Sequence, residues 1–330
     1  MIILSLFDGI SCGRMALEQS EIYVEKYYTS EIDKYATQVS DAIYPDNIKL
    51  GDITKWREWG IDWCSIDMIL GGFPCQSFSF SGKQLNFDDP RGQLFFVMIE
   101  ILNHVKLHNP QVKFLFENVR MKKEFSNIIN KMIGVDPVLI NSSLVSAQNR
   151  QRNYWASWNI DQPEDRYIYL KDVLDPELKT CRVGAAVRGR RLNENGQRQD
   201  YSDIPISQYL EIRKDSKSNC LTTVQKDNVI SYIKTDKMLK IKFNQSKSSC
   251  LTGGAHSGGN HSDMDILVID PGICRRYSVR ECARLQTIPE YIIDIMLGCG
   301  VSNSQLYKMI GNGWTIEVIK HIYIKGIKLK

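Results

Sequence analysis

Over its first 160 residues the sequence alternates short apolar runs with amphipathic stretches, and that alternation leaves few folds open. Residues 2–7 read as a strand, 12–20 as a helix, 23–30 as a strand and 34–43 as a helix. A further strand falls at 66–70, a helix at 93–107 and another strand at 113–116. Strands alternating with helices predict a parallel sheet covered on both faces. In such sheets ligands bind at the carboxyl ends of the strands, in the turns that follow them. Three turns of unusual composition fall there: Phe7-Asp8-Gly9, Phe73-Pro74-Cys75 and Phe116-Glu117-Asn118. All three should gather on one edge.

After about residue 160 the texture changes. Between Leu178 and Asn193 stand Lys179, Arg182, Arg188, Arg190 and Arg191, with no acid. Such a stretch reads either as a solvated loop or as arginines placed for phosphates and base edges. A weak repeat follows, Ser216-Lys217-Ser218-Asn219-Cys220-Leu221-Thr222-Thr223 and Ser246-Lys247-Ser248-Ser249-Cys250-Leu251-Thr252-Gly253. Two copies are too few for a solenoid and suggest paired turn-and-strand units in a small β-rich domain. Residues 278–285 and 314–324 read as helices, the second opening behind Gly311-Asn312-Gly313.

Composition narrows the class. Hydrophobic residues make up 43% and charged residues 24%, ordinary for a globular protein. The net charge of +4 suits a polyanionic partner without requiring one. No apolar run approaches the ~18 residues of a membrane span, and the first seven residues are too short for a signal peptide. Nine cysteines without CxxC spacing argue against a disulfide framework or zinc ribbon and fit a reducing cytoplasm. His104 and His108 are four apart with no third ligand nearby, so surface histidines, and no metal, are expected.

The turn Phe7-Asp8-Gly9-Ile10-Ser11-Cys12-Gly13 does not match GxGxxG, which speaks against a dinucleotide dehydrogenase. It suits a nucleoside cofactor without a phosphate bridge. Glu31, at the end of the next strand, can bind ribose hydroxyls, and Asp52 an exocyclic amine. Each acid alone is more often a cap or turn former; together they describe an adenosine pocket. Cys75 alone reads either as a small core residue or as a nucleophile. It stands one predicted strand from Glu117, a carboxyl that burial could keep protonated as a donor to a substrate nitrogen. In Gln148-Asn149-Arg150-Gln151-Arg152 two arginines share one side of an extended segment, as anchors for oxygens or as a surface charge pair.

Taken in order, these motifs resemble the DNA (cytosine-5)-methyltransferase family over nearly the whole chain. Phe7-Asp8-Gly9 resembles its S-adenosylmethionine turn, and Glu31 and Asp52 the acids that hold ribose and adenine. Pro74-Cys75-Gln76 matches the nucleophile motif, Glu117-Asn118-Val119 the acid motif, and Gln148-x-Arg150-x-Arg152 the Gln-x-Arg-x-Arg motif. Arg280-Glu281-Cys282-Ala283-Arg284-Leu285-Gln286 resembles the helix that supports the recognition domain, and Gly311-Asn312 the segment that returns to the cofactor. Three positions depart from the usual pattern. The first motif reads Phe-Asp-Gly-Ile-Ser, as in the animal de novo branch and small phage or bacterial enzymes. Ile32 replaces a common aromatic, and Gly313-Trp314 stands where small residues are usual.

The resemblance implies a doubly wound, mostly parallel α/β sheet of the S-adenosylmethionine-dependent methyltransferase type, with a smaller β-rich target-recognition domain. It implies a catalytic and cofactor-binding domain over 1–160, recognition over 161–275 and a return to the catalytic domain over 276–330. Cys75 would attack C6 of a flipped cytosine while Glu117 meets N3 and Arg152 holds O2. Phe7, Gly9, Ile10, Gly13, Glu31, Ile32, Asp52, Ile53, Pro74, Leu94 and Asn312 would bind S-adenosyl-L-methionine. Gln76, Ser79, Arg150, Arg188, Arg190 and Arg191 would touch double-stranded DNA, and the loop 76–91 would close over it. Burial behind Phe114 and Phe116, with the flipped base excluding water, should raise the Glu117 pKa in the ternary complex, with Arg150 and Arg152 turned to the base and backbone. A cytoplasmic monomer in a bacterium or phage-infected host is expected; a cognate restriction endonuclease is possible but not required. Amino-group DNA methyltransferases need a Pro-Pro-Tyr/Phe-type motif, which is absent. A catalytically silent relative would lose Cys75 or Glu117, and both are present.

Overall fold

The structure, a computed structural model, describes residues 1–74, 90–175, 183–191, 193, 199, 206–213, 215, 217–221, 228–231, 239–240 and 274–328. Cys75, Gln76 and Ser79, the loop they open and the second copy of the repeat lie outside the described residues.

The predicted alternation is present. Strand β1 (Ile2–Leu6) leads to helix α1 (Cys12–Gln19), β2 (Lys26–Ser30) to α2 (Lys34–Ile43), then β3 (Ile48–Lys49), β4 (Met68–Gly71), α3 (Pro90–His108) and β5 (Lys113–Val119). Each element has a local cause. Asp33 caps α2 by accepting from the Tyr35 amide at 3.0 Å, and the helix buries Ala36, Val39 and Ser40. Strands β1, β4 and β5 are apolar on both sides because both faces of the sheet are covered. In β5, Leu115 packs in one layer while Phe114 and Phe116 pack in the other.

Helix α4 (Lys123–Ile133), β6 (Val138–Asn141) and β7 (Gln151–Ala156) complete a seven-stranded sheet in the order β3-β2-β1-β4-β5-β7-β6. Six strands point the same way, and β7 alone runs antiparallel, to both its neighbours. The β5 ladder continues past the apolar run, pairing Glu117 with Tyr154 and Asn118 with Asn153. The strand is therefore three residues longer than the expected 113–116, and Glu117 is part of the sheet rather than a turn.

A short helix α5 (Leu170–Val173) precedes a second sheet formed by β8 (Val183–Arg190), β9 (Ser207–Ile212), β10 (Asn228–Ser231), β11 (Leu239–Lys240) and β12 (Cys274–Arg276). Its order is β11-β9-β8-β10-β12 with antiparallel pairing throughout. The chain then returns through α6 (Val279–Leu285), α7 (Glu290–Gly298), α8 (Asn303–Asn312) and α9 (Ile316–Tyr323). Ser278 and Glu281 form a capping box at the start of α6. Helix α9 packs beside α1, which places the segment before it next to the carboxyl edge of the first sheet. Among the described residues no helix is long and apolar enough to cross a membrane.

Candidate active site

The turn after β1 is tightly wound: Phe7, Gly9 and Ser11 all adopt left-handed backbone conformations. Leu6 pairs with Ser30, so the turn and Glu31 face each other across two strand ends. The Gly9 amide donates to Glu31 Oε2 at 2.9 Å, and the Ile32 and Asp33 amides donate to Oε1 at 2.8 Å each. Asp52, after β3, accepts from the Thr54 amide and hydroxyl at 2.9 Å, which holds its carboxyl below the usual range. A Cβ added at Gly9 would meet nothing within 4 Å, so the space above the turn is open. Ile32 lies on the rim with 75% of its surface exposed.

Open space lined by two carboxylates, with no basic residue in the turn, fits a cationic nucleoside with hydroxyl and amine donors and not a pyrophosphate. S-adenosylmethionine carries those donors and that charge. Pro74 and Leu94 are half-buried beyond β4, and Asn312 is exposed as the last residue of α8. Ile10 and Ile53 pack in the two opposite core layers, and Gly13 lies in the first turn of α1. Ile10 and Ile53 are core residues, and a Cβ on Gly13 would come within 2.7 Å of Leu70 Cδ1.

The sequence marks Asp8 only as part of the turn, yet it is the most polar group under it. Its carboxylate accepts from Ser11 Oγ at 2.5 Å and Tyr27 Oη at 3.0 Å. Burial outweighs these bonds and raises its pKa to about 6.

On the next strand ends stands Glu117, 7% exposed. Here two expectations are corrected. Phe114 and Phe116 do not bury it: they stack on each other in the opposite layer, because side chains alternate along a strand. Glu117 is instead enclosed by Arg152, Trp314 and Gly72. Nor does Arg152 turn away: its Nε lies 2.9 Å from Glu117 Oε1, since Val119 pairs with Arg152 in the β5–β7 register. Burial raises the Glu117 pKa, against the pull of Arg152, Arg150 and Trp314.

Arg150 also departs from its expected place on a DNA surface. It is 2% exposed, and its guanidinium donates to the carbonyls of Leu221, Gly311 and Gly313 at 3.1, 3.1 and 2.9 Å. An inward-facing fork saturated by carbonyls braces three segments against one another. Arg150 and Arg152 do share one side, as their alternation implied, and both donate to Cys220 Sγ, at 3.4 and 3.6 Å. Burial pushes this thiol's pKa up and the two guanidiniums pull it below its usual value. Cys220 belongs to the first copy of the repeat, which Ser218 fastens beside Gln148. Nothing in its local sequence marks it as part of the site.

The acid-free basic stretch acquires an acid through folding. Glu211 on β9 lies 2.6 Å from Arg190 Nε and 3.6 Å from Arg188 Nε. The Arg191 carbonyl accepts from the Gln199 amide. The His104 ring packs against Trp56 and Trp63, with centroids 5.0 and 4.9 Å away, and the His108 ring against His104. Among the described residues no group of three or more His, Cys, Asp or Glu could hold a metal.

With this geometry in place, the comparisons with known proteins agree. The family model described as C-5 cytosine-specific DNA methylase matches residues 1–328. The chain is 29% identical to Type II methyltransferase M1.ScrFI of Lactococcus lactis subsp. cremoris, over 99% of this chain and 78% of that one. It is 28% identical to Type II methyltransferase M.HhaI of Haemophilus parahaemolyticus, over 97% and 92%. Among solved structures, the Entamoeba histolytica methyltransferase EhMeth superposes with a TM-score of 0.62 at 13% identity, covering 98% of this chain and 97% of that one.

Proposed function

The chain belongs to the C-5 cytosine-specific DNA methylase family, and from that premise we propose how its residues divide the work. The observation that carries the reading is the buried, arginine-paired Glu117 one strand from Pro74, across the β4–β5 pairing. A buried acid one strand from the proline of the nucleophile motif supports reading Cys75, the next residue in the sequence, as the nucleophile.

In this reading the open space over Gly9, between Glu31 and Asp52, holds S-adenosylmethionine, which supplies an electrophilic methyl group when bound. Double-stranded DNA is the substrate, and the target cytosine leaves the stack to reach the strand ends. Cys75 attacks C6 as the thiolate, and Glu117 donates a hydrogen bond at N3, so the electron pair develops at C5. After methylation, loss of the C5 proton expels Cys75. Arg152 passes from Glu117 to the base O2 as the cytosine enters. That transfer removes a cation from the carboxyl and favours its protonated form when a proton is needed.

Residues 1–160 and 276–330 form the catalytic part in this proposal, and 161–275 carry sequence recognition through Arg188, Arg190 and Arg191. The antiparallel second sheet and the fastening of Ser218 to Gln148 support that division. The bacterial relatives support a cytoplasmic enzyme, with or without a cognate endonuclease. The test is DNA carrying 5-fluorocytosine at the target, where fluorine blocks the final elimination. A covalent protein–DNA adduct that requires the cofactor and disappears in Cys75→Ser is expected. An adduct that survives Cys75→Ser would refute the assignment.

A further inference from the structure

Trp314 follows the segment that returns to the cofactor and is 9% exposed. Its backbone is held on one side, because the preceding Gly313 carbonyl accepts from Arg150 at 2.9 Å and from Gln286 Nε2 at 3.2 Å. Its ring lies over Gly72, at the end of β4. A Cβ added to Gly72 would stand 3.0 Å from Trp314 Nε1 and 3.5 Å from Glu117 Oε2. The indole nitrogen and that carboxylate oxygen therefore flank the same point, and glycine at 72 leaves room for both. An indole N–H can only donate, and the acceptor that shares this point with it is Glu117 Oε2. The other oxygen, Oε1, is held by Arg152.

We infer that Trp314 is a positioning residue for Glu117: its indole N–H and the Arg152 guanidinium hold the two carboxyl oxygens, and Trp314 thereby sets how readily Glu117 takes up a proton. The inference rests on the reading of Glu117 as the group that serves N3. When Arg152 leaves for the base, Trp314 remains and fixes the carboxyl plane, so that the free oxygen is the one presented to the ring. Among the described residues, the other groups facing Glu117 are on or beside β7: Arg150, Arg152 and the Tyr154 hydroxyl, with Cys220 behind the two guanidiniums. None of them replaces a neutral donor on Oε2. An aromatic residue here, where the family pattern has small ones, thus has a chemical use beyond filling space.

The test titrates Glu117 directly in the DNA-free protein, by carboxyl-carbon NMR on glutamate-labelled protein, with the resonance assigned by its loss in Glu117→Gln. Trp314→Phe keeps the ring and removes the donor, so the Glu117 midpoint should rise by about one pH unit, as expected for losing a hydrogen bond to a charged acceptor. Gly72→Ala, whose methyl group would push the indole from the carboxyl, should move the midpoint the same way. The alkaline limb of single-turnover methylation should shift with it in both variants. A midpoint unmoved in the two folded variants overturns the inference, because a ring that only packs would lower stability without touching the titration. The titration needs no methyl transfer, so failure of this inference and failure of the Cys75 assignment are read separately.

Discussion

Arg152 Nε lies 2.9 Å from Glu117 Oε1, an ion pair formed across the antiparallel β5–β7 ladder by two residues 13% and 9% exposed in their side chains. A buried carboxyl with a cation beside it is poised between two states. Burial favours the proton and the guanidinium opposes it. Moving the guanidinium is then enough to tip the balance, which ties the acid's proton to the arrival of the base.

Glu117→Gln keeps shape and a donor but removes the titratable proton. The single-turnover rate with pre-bound DNA should fall by roughly two to three orders of magnitude, as for loss of a general acid. The active form carries the proton, so wild-type rates should decline as pH rises through the Glu117 pKa, and that decline should vanish in the Gln variant. A Gln variant with wild-type rates would mean that Glu117 only positions the base.

Arg150→Met should act on stability before anything else. It removes the side-chain donor from the Gly311 carbonyl and leaves those of Leu221 and Gly313 with Cys220 Sγ and Gln286 Nε2 alone. One orphaned buried group costs about 1–3 kcal/mol, so a loss of about that size is expected in urea unfolding. Arg150→Lys should recover only part, because one ammonium cannot match the fork. Unchanged stability together with weaker DNA binding would restore the outward-facing role that the sequence suggests for Arg150.

Asp8 makes a prediction about pH. Its folded-state pKa of about 6 lies above the usual 3.8, so the folded protein holds a proton that the unfolded chain has released. Stability should therefore fall as pH rises from about 4 to about 6, at a slope of up to about 1.4 kcal/mol for each pH step of one. Asp8→Asn keeps an acceptor for Ser11 and a group that can face Tyr27, but cannot ionise. Its unfolding free energy should be flatter over that window and higher than wild type at pH 7. Parallel pH curves for the two proteins would contradict the assignment.

The legible part of the site is the part written in consecutive residues. The turn after β1 and Glu31 follow strands read from the sequence, and the parallel order carries them to one edge, where Asp52 joins them behind the short exposed strand β3 that the sequence does not mark. What escapes reading depends on register between segments far apart in sequence. The Glu117–Arg152 pair needs the β5–β7 alignment, across 35 residues with a helix between. Trp314 reaches Glu117 only because α9 packs beside α1, and Cys220 reaches the arginines only because Ser218 is fastened beside Gln148. The burial of Glu117 is expected from the sequence, but from Phe114 and Phe116. Extending the strand from Phe116 to Val119 puts those rings on the other face and gives the enclosure to Trp314.

The last prediction concerns Glu211. The basic stretch is expected to meet DNA because it holds no acid of its own, yet β8 and β9 pair so that Ala186 faces Glu211. Side chains two and four residues further along β8 share that side, which brings Arg188 and Arg190 to the same carboxylate. An arginine held by a partly exposed carboxylate is partly neutralised, and a phosphate must compete for it. If the pair meets DNA, Glu211→Gln should release positive charge, tighten target binding several-fold and steepen the salt dependence by about one counterion. Arg188→Ala, which removes the longer and more exposed partner, should weaken binding and make the slope shallower by about the same amount. Both are read from target-DNA titrations across a range of salt concentrations. Unchanged affinity and slope in the two variants would mean that these arginines serve only to bind β8 to β9.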